Sequence, residues 1–161
     1  MTVKEFNKSV DLFSDNVFRF ILKSINDVER AKDIVQDCYE KLWLKIESVS
    51  FQKVKSYLFS TAYHTMIDSI RKEKNHSKYL EYNLDQGIYE GQYNDLNEIL
   101  HKLILSLPEA QRSVILLRDY EGYSYSEIAT ITGLSESQVK VYIFRGRLFL
   151  KEKIGRVENL V

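Results

Sequence analysis

The chain has 161 residues, enough for one ordinary domain or two small ones, and its 44% apolar content is sufficient for a core. Lys plus Arg and Asp plus Glu number 23 each, so the formal net charge is zero and any nucleic-acid contact must rest on local clustering. A single cysteine, Cys38, excludes an intramolecular disulfide and a cysteine-based metal cluster.

With one proline and six glycines, the chain is expected to be all-α with few tight turns. The opening MTVKEFNKSVDLF has no basic stretch followed by an apolar run, and no segment reaches about 18 uninterrupted apolar residues. Neither a signal peptide nor a membrane span is therefore expected, and a soluble cytoplasmic protein is the default. From about Glu5 to Lys74 the apolar residues recur at helical spacing. Asn26 followed by Glu29 reads as a capping box opening a helix. Ala31, Ile34, Val35, Cys38, Leu42 and Ile46 then form an apolar stripe. Asp33, Gln36, Asp37 and Glu40 repeat on the other side, as a solvated face or as a docking surface for a basic partner.

A second helix is expected from about Val54 to Lys72, carrying Tyr57, Leu58, Ala62, Met66 and Ile70. It is bracketed by Lys53 and Lys55 at its start and by Arg71, Lys72 and Lys74 at its end. Tyr57, Phe59, Tyr63 and His64 could stack on unpaired bases while the cations follow a phosphate backbone; the competing reading places these rings in a core. His64 and Asp68 share a helical face at a spacing able to hold a metal, but a third ligand is not evident. Neither a glycine-rich phosphate loop nor a nucleophile motif is present, so no enzymatic activity, metal or other cofactor is expected.

Between these helices and the next periodic zone lies HSKYLEYNLDQGIYEGQYND. From Tyr79 to Leu100 there are five acidic residues (Glu81, Asp85, Glu90, Asp95 and Glu98) and no Lys or Arg. A flexible acidic connector is expected, dividing the chain into 1–76, 77–97 and 98–161. In the last zone, Pro108 fits the first turn of a helix whose buried side is marked by Ala110, Val114 and Leu117. Two capping boxes follow, Ser124 with Glu127 and Ser135 with Gln138, and Gly133 stands at the stop between them. A helix, a glycine turn and a longer helix spell a helix-turn-helix. In the longer helix Val139, Ile143, Gly146 and Leu150 share one face, with Gly146 allowing a neighbour to approach closely. Ser137, Lys140, Val141, Phe144, Arg145 and Arg147 lie on the opposite face. From Val139 to Arg156 six basic residues stand against one acidic residue, a local charge of +5, suited to a helix that enters a major groove.

AKDIVQDCYEKLW (Ala31–Trp43), VKSYLFSTAYHTMIDSIRKEK (Val54–Lys74) and LPEAQRSVILLRDYEGYSYSEIATITGLSESQVKVYIFRGRLFLK (Leu107–Lys151) together resemble the extracytoplasmic-function (ECF) sigma factors of bacterial RNA polymerase, in order and separation. The resemblance covers nearly the whole chain. It implies two helical domains, and it implies that Asp33, Gln36 and Asp37, with Glu40 and Trp43 nearby, dock on a coiled coil of the polymerase β′ subunit. It further implies that Tyr57, His64, Asp68, Arg71, Lys72 and Lys74 engage a melted −10 element, with the loop Lys74–Tyr79 as a base pocket. Ser137, Gln138, Lys140, Val141, Phe144 and Arg145 would read the −35 duplex, with Arg147 on phosphate. Departures are Tyr57 for the family's Trp, His64 for its Asn, Gln138 for its Thr and Val141 for a small polar residue.

The implied partners are the polymerase core (β′ coiled coil and β flap), promoter DNA and a separate anti-sigma protein, which in this family is often membrane-spanning. The free chain is expected to be a monomer. The alternative from the residues alone is a stand-alone helix-turn-helix regulator, which would bind specific DNA unaided, as a dimer on two half-sites.

Overall fold

The computed structural model describes residues 1–76 and 95–158, with side chains over 1–73 and 96–155. The chain divides into two compact units, Met1–Ile88 and Tyr89–Val161. The architecture is all-α: among the described residues there is no strand. No helix among them is long and apolar enough to cross a membrane. The acidic connector expected over 77–97 lies, through residue 94, outside the described residues.

The first unit contains α1 (Val3–Ile25), α2 (Val28–Leu44), a 3₁₀ turn (Phe51–Lys53) and α3 (Val54–His76). A capping box opens α1: Glu5 N–H donates to Thr2 Oγ1 at 3.1 Å, and Thr2 N–H donates to Glu5 Oε1 at 3.1 Å. The capping box expected from Asn26 and Glu29 is replaced by a division of labour. Asn26, at φ 54°, closes α1 in the left-handed conformation and donates its N–H to Leu22 O. Asp27 opens α2, its carboxylate accepting from Arg30 N–H at 3.1 Å. Asn tolerates the left-handed region, and a carboxylate at a helix start also meets the positive end of the dipole, so the cap moves by one residue.

The α2 stripe packs as expected through Ala31, Ile34, Cys38 and Leu42, while Ile46 falls beyond the helix end. α2 packs against α1 and α3, whose buried residues include Val17, Phe20 and Ile21 of α1 and Val54, Leu58, Ala62 and Met66 of α3. Phe59 and Tyr63, considered above as base-stacking residues, are buried. The Phe59 ring lies 5.7 Å from that of Phe20 and belongs to the core. Polar ties cross the bundle. Tyr39 OH donates to Ser9 O at 3.0 Å, joining α2 to α1. Arg30 pairs with Glu73 at 2.8 Å and also donates to Ser69, joining α2 to α3.

The second unit contains α4 (Asp95–Ser106), α5 (Glu109–Ile115), a π turn (Leu116–Tyr120), α6 (Tyr125–Thr132) and α7 (Glu136–Glu158). Pro108 occupies the N-cap of α5, one residue ahead of the first turn. Both capping boxes form, Ser124 with Glu127 before α6 and Ser135 with Gln138 before α7. Gly133 closes α6 at φ 78°, a left-handed conformation that a side chain would strain. Ile104, Val114, Ile115, Leu117, Ile128, Ile131, Val139 and Ile143 make the core. At Gly146 a Cβ would run into the end of the Ile115 side chain, so α7 and α5 pack closely there.

Candidate functional site

On α2 the residues expected to dock a basic partner stand on the face opposite the core. Asp33, Gln36 and Glu40 are exposed and Asp37 is half-buried. Gln36 Nε2 donates to Glu40 Oε1 at 3.3 Å. Lys41 pairs with Asp37 at 2.9 Å and reaches across to Thr65 Oγ1 of α3 at 3.2 Å. The hydrogen bond to Asp37 raises the Lys41 pKa, more than offsetting its partial desolvation. Beside the acids lies an apolar groove that sequence reasoning missed, apart from Trp43. Trp43, 49% exposed, packs edge-on to Phe6 of α1 with ring centroids 5.2 Å apart, and Leu44 is 83% exposed next to it. Tyr39 completes the floor. Phe6 arrives from the start of α1, a contact that periodicity within one helix cannot announce.

On α3, His64, Asp68, Arg71 and Lys72 are exposed, and Tyr57, seven residues before His64, is half-buried. Steps of seven, four and three keep Tyr57, His64, Asp68 and Arg71 on one face. The His64 ring lies edge-on to Tyr63, centroids 5.1 Å apart, so the buried tyrosine braces the exposed imidazole. The side chain of Lys74 and the expected pocket loop Lys74–Tyr79 fall outside the described residues.

On α7, Ser137, Gln138, Lys140, Val141, Phe144, Arg145 and Arg147 are all exposed. The capping geometry gives Gln138 a definite role. Its Oε1 accepts from Ser135 N–H at 2.9 Å, so it faces outward as an N–H donor. Two residues missed in the sequence, Tyr125 and Asp119, hold the cations from behind. The ring of Tyr125, at the start of α6, lies 4.6 Å from the guanidinium carbon of Arg118 and 5.7 Å from Lys140 Nζ. Asp119 takes Arg147 in a bidentate pair at 2.5 and 3.2 Å. That pairing, aided by Tyr125, raises the pKa of the Arg147 guanidinium.

Two family models match the chain: the sigma-70 region 2 model over residues 10–76 and the sigma-70 region 4 model over residues 97–150. SigV of Bacillus subtilis strain 168, an RNA polymerase sigma factor, is 30% identical over 86% of this chain and 84% of its own. The chain belongs to the ECF sigma factors of RNA polymerase. As such it directs the polymerase core to promoters and stabilises −10 melting to start transcription. The ECF sigma factor SigM of the same organism is 29% identical over 99% of both chains, so the two regions occur together in one protein of this length. Among solved structures, the sigma factor RpoE of Bartonella quintana, crystallised with the anti-sigma factor NepR, superposes with a TM-score of 0.79. It is 26% identical over 95% of this chain and 98% of that one. The stand-alone regulator is not favoured by these relatives.

Proposed function

We propose that this ECF sigma factor divides its work among three helical faces. Asp33, Gln36, Asp37, Glu40 and Trp43 on α2 dock on the β′ coiled coil, the acids meeting basic groups and the groove around Trp43 an apolar side chain. Tyr57, His64, Asp68, Arg71, Lys72 and Lys74 on α3 hold the separated −10 strand. Stacking on aromatic rings and contact with phosphate need no sequence-specific edge, which suits a captured single strand. The opening turns of α7 read the −35 duplex through Ser137, Gln138, Lys140, Val141, Phe144 and Arg145, with Arg147 on phosphate. The β flap holds the second unit, and the core sets the distance between the two DNA sites, so two modest contacts act as one strong one.

Capture of flipped bases replaces ATP hydrolysis, and the protein is not an enzyme. It acts in the cytoplasm, is a monomer when free, and is silenced by a separate anti-sigma protein, as NepR accompanies RpoE in the neighbouring structure. The observation that carries this reading is that every described side chain matched to a family contact lies on an exposed or half-buried helical face, none in either core. The test mixes the purified chain with polymerase core and scores comigration and initiation at a promoter that core alone ignores. Asp37→Lys is expected to weaken core binding at least tenfold with the fold intact; wild-type binding by that variant would overturn the docking face.

A further inference from the structure

The outward face of α7 carries a feature that phosphate binding does not explain. Val141 is 43% exposed, Phe144 67% and Leu148 52%. At spacings of three and four they form one apolar strip along the helix. Among the described residues nothing in the second unit covers them, whereas Val139 and Ile143 on the other face are buried. Exposed Lys140, Arg145, Arg147 and Lys151 border the strip; Lys140 at its start lies over the Tyr125 ring, and Arg147 near its end is paired with Asp119. An apolar strip hemmed by cations fits an apolar spot on a polyanion.

The major groove of DNA presents one such spot on its base edges, the 5-methyl group of thymine. We propose that Val141, walled by Phe144, reads a thymine methyl in the −35 element and so sets part of the promoter preference of this chain. The inference rests on the assignment of α7 to the −35 duplex. Val141 stands where the family resemblance places a small polar residue, so the selectivity belongs to this chain. Valine has one stiff side-chain torsion and no hydrogen-bonding group. It therefore rewards a methyl by burial and disfavours cytosine, whose N4 amino group would be desolvated against it without an acceptor. Gln138, one turn earlier and offering N–H donors, suits an acceptor on the adjoining base.

The test uses holoenzyme reconstituted from the full chain and polymerase core. Promoters are selected from a library randomised across the −35 window, and each selected thymine is then replaced by deoxyuridine, which lacks only the methyl. At one position the wild-type holoenzyme is expected to lose about fourfold in promoter affinity, the worth of one buried methyl group. Val141→Ser is expected to lose less than twofold at that position and to relax the selected base there. Placing 5-methylcytosine opposite guanine at that position is expected to recover part of the wild-type affinity relative to cytosine. Deoxyuridine without effect anywhere in the window, or an unchanged deoxyuridine effect in Val141→Ser, would overturn the proposal. Lys140→Glu in the same assay separates the two levels. If it abolishes −35 dependence while deoxyuridine is silent, methyl reading alone is wrong; if it too is silent, the assignment of α7 to the duplex has failed.

Discussion

On α2 the exposed charges answer one another along the helix that bears them: Lys41 pairs with Asp37 and Gln36 with Glu40. On α7 Lys140 pairs with Glu136 of its own helix at 3.7 Å but also lies over the Tyr125 ring, and Arg147 is held by Asp119 of the π turn. A face of the first kind rests mainly on its own helix, with one tie from Lys41 to Thr65 of α3. A face of the second kind depends on how the unit packs, because its anchors come from the π turn and α6. Lesions in the two cores should therefore have different functional signatures.

The largest expected effect is Phe59→Ala, which opens the core of the first unit and should cost about 3–5 kcal/mol. Burial, with a smaller contribution from the charge of Asp37, pushes the Cys38 thiol up to about 12 from an ordinary 9.0. Unfolding restores the ordinary value, so the thiol's contribution to stability is complete below pH 9 and is lost as pH rises toward 12. Alkylation at pH 8 should thus be blocked in the native chain and rapid in Phe59→Ala; equal protection in both would show that Phe59 is not structural. Next comes Gly146→Val, which drives a branched side chain into Ile115 and should destabilise the second unit by about 2–3 kcal/mol. Promoter binding should fall while Cys38 stays protected, and simultaneous exposure of Cys38 would show that the units do not unfold separately.

Smaller effects sharpen the contrast. Asp119→Asn removes an exposed pair worth under about 1 kcal/mol, so melting should barely move. Releasing Arg147 should raise affinity for random duplex about threefold at low salt, as read by fluorescence anisotropy; lower affinity would mean that Asp119 aims Arg147 instead of restraining it. Gln138→Glu keeps the acceptor that caps α7 and should leave stability within about 0.5 kcal/mol. It exchanges N–H donors for a negative charge, so −35-dependent initiation should fall; unchanged initiation would remove Gln138 from the reading surface.

Much of this was legible in the sequence because it is local. The α2 stripe, the two boxes around Gly133 and the small residue at Gly146 follow from periodicity and capping chemistry within a few residues. The errors mark where locality ends. Asn26 and Asp27 can each cap a helix, and the choice is made by the turn joining α1 to α2. For Phe59 and Tyr63 spacing alone leaves stacking and core both open, with core the commoner choice, and the contact with Phe20 of α1 decides it at Phe59. Arg118, Asp119 and Tyr125 carry no periodic signal, since their importance comes from α7 folding back over them. Phe6 is the same case on the proposed docking face of α2.

The π turn at Leu116–Tyr120 has a further consequence. There Glu121 N–H donates to Leu116 O, five residues back, instead of to the fourth. One extra residue in a turn rotates the downstream backbone by about 100° relative to a continued α-helix. That change of phase lets Leu116 and Leu117 stay in the core while Arg118 reaches Tyr125 and Asp119 reaches Arg147. The turn works as a spacer one residue long, in the way a shim sets the angle of a bracket. Removing a single residue here would rotate Arg118 away from Tyr125 and Asp119 away from Arg147 together, so on the proposed −35 reading promoter preference is tied to length at one point in the backbone as well as to the residues proposed to touch DNA.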